Sequence, residues 1–151
     1  MGFGDRTERG VLMDNIILHG RGVSKGKVSA DALVSNQPIS FWGGVDPNTG
    51  LIIDKKHILY NQNVTGKIMF FPVSKGSAGS SYQLLKMVEN GTAPVGIVNL
   101  RADPVLVTGA IISCIPMVVI EGGEPLAEVR TGDLVILDAN IGIITIEKNK
   151  I

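Results

Sequence analysis

The apolar residues of this chain arrive in short bursts, each stopped by Gly, Pro, Asn or Asp, and this pattern limits the fold more than any other feature. Bursts without the i, i+3, i+4 recurrence of a helix face belong to buried strands, not to a helical bundle. Strands are expected at Ile16–His19, Val28–Val34, Lys67–Phe71, Val95–Asn99, Met117–Ile120, Leu134–Asp138 and Ile143–Glu147. The last two alternate (LVILD, IITIE) and are joined by Ala139-Asn140-Ile141-Gly142, a hairpin turn in which Asn and Gly tolerate positive φ. Arg130–Asp133 and Asp46–Gly50 read as further turns. One helix stands out, Ser80–Asn90, with Leu84, Leu85 and Val88 on one stripe and Gly91 where a left-handed C-cap belongs. Ser80 and Gln83 have the spacing of a capping box. Ala102–Cys114 fits a second, shorter helix, though its Val and Ile content equally permits a strand. Strand, loop, helix and strand over 67–99 make a βαβ unit, so the chain is expected to be a mixed α/β domain.

At 151 residues the chain is long enough for one self-sufficient core. Residues 1–15 lack periodicity and are expected to form a flexible N-terminal arm, with the domain spanning 16–151. Fourteen basic residues balance fourteen acidic ones, which speaks against nucleic acid and against a polybasic membrane binder. With 19% charged and 44% hydrophobic residues the chain is not disordered, and a surface poor in charge suits contact with a partner. The single Cys114 excludes a disulfide framework and cannot alone hold zinc or an iron–sulfur cluster, so no metal site is expected on this chain. The longest uncharged run, Val105–Ile120, is shorter than the roughly 20 residues of a membrane-spanning helix and contains Gly109 and Pro116. A cytoplasmic location is the expectation.

Chemistry concentrates in Phe70-Phe71-Pro72-Val73-Ser74-Lys75-Gly76-Ser77-Ala78-Gly79-Ser80-Ser81, which joins a strand end to a helix start. Small residues let backbone approach a ligand, and a helix start presents unpaired N–H groups of partial positive charge. Lys75 adds a full charge, and Ser77, Ser80 and Ser81 add hydroxyls, so the loop suits an anionic small molecule; a plain serine-rich connection into a capped helix accounts for the same residues. It is not a Walker A loop, because the G-x-x-x-x-G-K-[ST] spacing is absent. His19 and His57 have no third ligand type near them in sequence, and Cys114 in its apolar run reads as a small buried thiol. Asp46 reads as a turn former, Arg21 between two glycines as a solvated side chain in a flexible frame, and Phe41 and Trp42 as interface anchors or core. There is no carboxylate pair, triad or metal cage. One anion loop alone implies half of a site, the other half coming from another chain.

Gly20-Arg21-Gly22, Ala32-Leu33-Val34-Ser35, Pro38-Ile39-Ser40-Phe41-Trp42-Gly43-Gly44-Val45-Asp46-Pro47-Asn48-Thr49-Gly50, Lys75-Gly76-Ser77, Ser81-Tyr82, Ala93-Pro94 and Gly109-Ala110-Ile111-Ile112 together resemble the small subunit of the aconitase X family, in order and from about Ile16 onward. The resemblance implies a swivelling β/β/α domain with a barrel-like β part, docked as a heterodimer on a large subunit that holds the iron–sulfur cluster. It implies a hydro-lyase inactive without that partner, with Ser77 as the base and Lys75, Gly76, Ala78, Gly79, Ser80 and Ser81 about the substrate. Free-standing small subunits of the family imply dehydration of (R)-5-phosphomevalonate to trans-anhydromevalonate 5-phosphate in a mevalonate pathway of isoprenoid biosynthesis; other members dehydrate cis-3-hydroxy-L-proline. This chain departs from the family pattern in having Ser74, the run Ala78-Gly79-Ser80-Ser81-Tyr82 and the segment Leu100-Arg101-Ala102-Asp103-Pro104, which keeps hydroxyproline or another hydroxy acid open as the substrate. Two readings of other classes compete. A phosphoryl-carrier swivelling domain shares the Ile115-Pro116 and Thr131-Gly132-Asp133 features but needs a histidine within Val105–Ser113, which has none. A non-catalytic anion-binding module would use the serine loop alone.

Overall fold

The structure, a computed structural model, describes residues 13–122 and 125–149. The expected arm falls, over residues 1–12, outside the described residues, and the first strand already begins at Met13. The element order is β1 (Met13–His19), β2 (Arg21–Ser24), β3 (Lys27–Val34), β4 (Ile68–Phe70), α1 (Gly79–Asn90), β5 (Gly96–Asn99), α2 (Pro104–Ile112), β6 (Met117–Val119), a 3₁₀ turn (Pro125–Glu128), β7 (Leu134–Asp138) and β8 (Ile143–Asn149). All eight strands form one sheet in the order β1-β8-β7-β3-β4-β5-β6-β2. Its centre, β3-β4-β5-β6, is parallel, and the flanking pairs are antiparallel. The two outer strands, β1 and β2, follow one another with only Gly20 between them, so the sheet curls into a nearly closed barrel.

Arg21 therefore lies in a strand rather than in the flexible frame that its neighbours suggested. The glycines serve closure instead. Gly20 N–H donates to the Gly142 carbonyl at 2.8 Å, and a Cβ at Gly22 would sit 1.8 Å from the Ala139 carbonyl oxygen. The β7–β8 hairpin forms as expected, with Gly142 at φ 73°, but Asn140 does not take positive φ. Its Oδ1 accepts from Gly26 N–H at 3.1 Å and ties the turn to the β2–β3 corner.

Period-two alternation in the parallel strands divides the core into two layers. Ala32, Ile68, Phe70, Val98 and Val118 face the barrel interior with Val135, Leu137, Ile144 and Ile146. Leu33, Met69, Ile97, Met117 and Val119 face the other way, against Leu84 and Met87 of α1 and Leu106 and Ala110 of α2. Residues of the long β3–β4 connection, including Ile39, Phe41, Val45, Ile52 and Val64, complete this second layer. A buried side chain of this size contributes roughly 1.5–3 kcal/mol, so the connection is held as firmly as the helices.

The segment open between helix and strand is helical. Asp103 Oδ2 accepts from Leu106 N–H at 3.2 Å, and Pro104 occupies the first turn. Cap and proline outweigh the β preference of Val105, Val107, Ile111 and Ile112. Helix α1 ends as expected, with Gly91 at φ 75° and its N–H bonded to the Val88 carbonyl at 3.1 Å. Its beginning differs from expectation: there is no capping box. Gln83 is buried and donates from Nε2 to the Val45 carbonyl at 2.8 Å, anchoring the long connection instead of reaching back to the helix start.

Candidate functional site

After β4 the chain leaves the sheet edge through Phe71, whose ring packs at a tilt against Phe41 with centroids 6.1 Å apart. The Pro72 carbonyl accepts the N–H groups of Leu100 and Arg101 at 2.9 and 3.2 Å. Ser74 then bridges to Ile39 in parallel sense, and Lys75 N–H donates to the Ile39 carbonyl at 2.9 Å. Backbone pairing thus sews the Lys75-Gly76-Ser77 loop to the Ser40–Gly44 loop, although 34 residues lie between Ser40 and Lys75 in the chain. Between them opens a cleft of about 560 Å³ lined by Ser40, Trp42, Gly43, Gly44, Ile53, Asp54, Lys55, Lys75, Gly76 and Ser77. The glycine pair is sterically required. Gly43 sits at φ 82°, and a Cβ at Gly44 would lie 2.2 Å from the Ser40 carbonyl oxygen.

Ser77 stands at the mouth of α1. Its Oγ accepts from Gly79 N–H at 3.3 Å, and its carbonyl accepts from Ser80 N–H at 2.9 Å. Donors of the first helical turn are therefore already aimed at this residue, where they favour negative charge on Oγ. Lys75 and Gly76 are exposed on the cleft wall, and Ala78 is exposed beside them. The other two hydroxyls are elsewhere, which corrects the expectation of three serines at one ligand. Ser80 is fully buried with Oγ unpartnered, and Ser81 Oγ donates to the Val105 carbonyl at 2.5 Å, fastening α1 to α2. Ser77 precedes α1 and lines the cleft, whereas Ser80 and Ser81 lie within α1, where the helix turns successive residues to different sides.

Lys55 is a cleft residue that sequence reading missed, as are Ser40, Ile53 and Asp54. The available signal was Asp54-Lys55-Lys56, an isolated charged cluster just after the apolar Leu51-Ile52-Ile53. Among the described residues the two ion pairs, Arg21–Glu121 and Lys148–Asp133, involve neither Lys55 nor Lys75. Asp54 is partly engaged, its Oδ1 accepting from Lys56 N–H at 3.0 Å. The cleft therefore carries two cations against one carboxylate.

Other candidates are distributed by the fold. Phe41 is core, whereas Trp42 is half exposed at the cleft. Asp46 is a turn former, accepting from Asn48 N–H at 2.9 Å. Exposed Arg21 pairs loosely with Glu121 at 3.5 Å. Cys114 is exposed rather than buried, because it follows the C-cap of α2 at φ 58°, a left-handed position that turns the side chain outward. His57 Nδ1 accepts from Leu59 N–H at 3.0 Å, which leaves the proton on Nε2 to donate to the Pro38 carbonyl at 3.0 Å. Both of its ring nitrogens are thereby occupied, and Val105–Ser113 lies mainly in α2 with no histidine. A second hollow of about 430 Å³, between the end of α1 and Ile115-Pro116, has no charged lining residue. Among the described residues no three of His, Cys, Asp and Glu gather as a metal site, and no helix is long and apolar enough to cross a membrane.

Comparison with known proteins completes the picture. Residues 17–146 match the family model described as the aconitase X swivel domain. The phosphomevalonate dehydratase small subunit of Methanocella arvoryzae is 43% identical over 127 residues, covering 84% of this chain and 96% of that protein. The Thermococcus sibiricus protein of the same name is 44% identical, covering 87% of this chain and 98% of its own length. In three dimensions the chain is similar to Thermococcus kodakaraensis aconitase X in its holo-form, with a TM-score of 0.81 and 40% identity over 87% of this chain and 98% of that one. It is also similar to a UPF0107 protein solved by solution NMR, with a TM-score of 0.79 and 33% identity over 85% of this chain and 97% of that one.

Proposed function

The chain belongs to the aconitase X swivel-domain family and is the small subunit of a dehydratase of that family; from this premise we propose that it completes a phosphomevalonate dehydratase by supplying the base, Ser77. The observation that carries the reading is that Ser77, Lys75 and the Trp42-Gly43-Gly44 loop share one cleft, with a helix-start N–H on Ser77 Oγ.

In this proposal Ser77 Oγ takes the proton from the carbon next to the substrate carboxylate. A serine hydroxyl is a weak base, so its anion needs support. Gly79 N–H provides a direct hydrogen bond, and the α1 dipole and Lys75 have the right sign. As the proton leaves, the electron pair forms the C=C bond and hydroxide departs from the adjacent carbon; proton and hydroxide together are the water released. With a single cysteine this chain cannot by itself provide the thiolates of an iron–sulfur cluster, so the cluster, which would supply Lewis acidity at the departing hydroxyl, is assigned to the large subunit. Lys75 and Lys55 line the cleft together and suit a substrate bearing both carboxylate and phosphate. Gly76 and Ala78, both exposed, keep the backbone bare enough for close approach.

The test is reconstitution with an aconitase X large subunit and assay on (R)-5-phosphomevalonate and on cis-3-hydroxy-L-proline. The complex is expected to dehydrate the phosphorylated substrate and the isolated chain neither. Turnover of hydroxyproline alone would move the chain to the other branch of the family, and turnover by the lone chain would overturn the shared-site reading.

A further inference from the structure

We infer that Trp42 is a positioning residue for Ser77, acting through the peptide of Gly79; the inference rests on the reading of Ser77 as the base. A Cβ added to Gly79 would lie 2.5, 2.7 and 2.9 Å from Cδ2, Cε3 and Cγ of Trp42. The indole therefore lies directly on the Gly79 backbone, in space that only glycine leaves free. Gly79 is also the residue whose N–H is donated to Ser77 Oγ at 3.3 Å. The indole has its own anchor. The Trp42 carbonyl accepts from Ser40 Oγ at 2.8 Å, Gly43 takes φ 82° and Gly44 packs on the Ser40 carbonyl. Phe41, next in the chain, is locked in the core against Phe71.

Two sequence motifs far apart in the chain thus act as one device. The first, Ser40–Gly44, is a bracket that presents a flat apolar surface. The second, Lys75–Gly79, is a loop whose last residue has no side chain, so that the bracket can press on its backbone. A loop of small residues entering a helix has many conformations, and only some aim the Gly79 N–H at Oγ. A rigid ring on Gly79 removes the alternatives. The arrangement also lets substrate binding sense the brace, since Trp42 lines the cleft on one side and touches the helix start on the other.

The test uses the chain reconstituted with its large subunit. Trp42→Ala removes the ring. Gly79→Ala keeps the N–H and raises helix propensity, but evicts the ring from its seat without adding a cleft-lining side chain. Each is expected to lower kcat by about 10- to 100-fold, the range for a misaligned oxyanion donor or reacting group. Each should also move the rising limb of the pH–rate profile to higher pH by about 0.5–1 unit, because an Oγ with a poorer donor holds its proton more tightly. The double variant should be no worse than either single one, and Trp42→Phe should recover several-fold of the loss. Trp42 is the only tryptophan of the chain, so its emission is an assay independent of turnover: Gly79→Ala should red-shift it in the isolated protein. An unshifted emission, an unmoved pH limb in Gly79→Ala, or multiplicative losses in the double variant would each overturn the brace while Ser77→Ala stays inactive and the reading of the base stands. Turnover retained by Ser77→Ala would overturn both.

Discussion

The two helices of this domain begin in opposite ways. Helix α2 starts behind Asp103, a carboxylate that accepts from Leu106 N–H, with Pro104 in its first turn. Helix α1 is preceded by Ala78, which gives no side-chain cap, and its first turn donates to the hydroxyl and the carbonyl of Ser77, one residue further back. A carboxylate can only accept, so the start of α2 is finished structure. A hydroxyl that accepts from an amide still has a proton of its own, and Ser77 holds it at the wall of a cleft flanked by Lys55 and Lys75. The same electrostatics that stabilises one helix is therefore left available at the other for an anion to form. If Ser77 is the base, as proposed, the difference teaches that an incomplete cap, not an unusual residue, marks the functional end of the domain.

Exchanging the two kinds of cap tests that lesson most severely. In the reconstituted complex, Ser77→Ala and Ser77→Asp are both expected to lower turnover by about 10³-fold or more, the scale of general-base loss combined with loss of a preorganised contact. Ser77→Asp should nonetheless keep the thermal stability of the wild type, since a carboxylate satisfies the helix start; a variant that stays active would break the comparison. Next in size is Lys75→Gln. It is expected to raise KM by about tenfold, more for a phosphorylated substrate than for hydroxyproline, and to do so less at high salt. Asp103→Ala should cost about 1 kcal/mol in denaturant unfolding, with kcat and KM within twofold of wild type, because the cap of α2 serves the fold alone. The smallest effect belongs to Ser80→Ala. Its Oγ is buried without a partner, so removing it should leave the unfolding midpoint unchanged or slightly raised, and turnover within twofold. A clear loss of activity there would return Ser80 to the ligand site.

Much of this was open to a reader of the sequence. Alternating apolar bursts specify strands because side chains on a pleated backbone face two ways in turn, and the seven expected strands overlap β1 and β3 to β8. Gly91 specifies the end of α1, since a left-handed residue is hard to supply otherwise. The Lys75–Ser81 loop was recognisable by its place between an apolar strand and an amphipathic helix. These are local properties, set within a few residues.

Tertiary structure decided the rest. Whether 102–114 is helix or strand depended on a cap and a proline outweighing β-branched residues. Strand β2 was hidden because Gly22, and Gly20 just before the strand, serve packing against Ala139 and Gly142, which lie over a hundred residues away. Three serines within five residues looked equivalent as letters; Ser77, ahead of the helix, stays at the cleft, while the turn of α1 sends Ser80 to the core and Ser81 to α2. Lys55 joined Lys75, and Trp42 came to rest on Gly79, because the barrel edge brings the long connection and the serine loop side by side. Sequence alone determined seven of the eight strands among the described residues, which loop is the candidate for chemistry and to which family the pattern is similar. Only the folded chain determined which side chains meet there, because contacts between distant segments follow from the closure of the sheet and from the space that each glycine leaves empty.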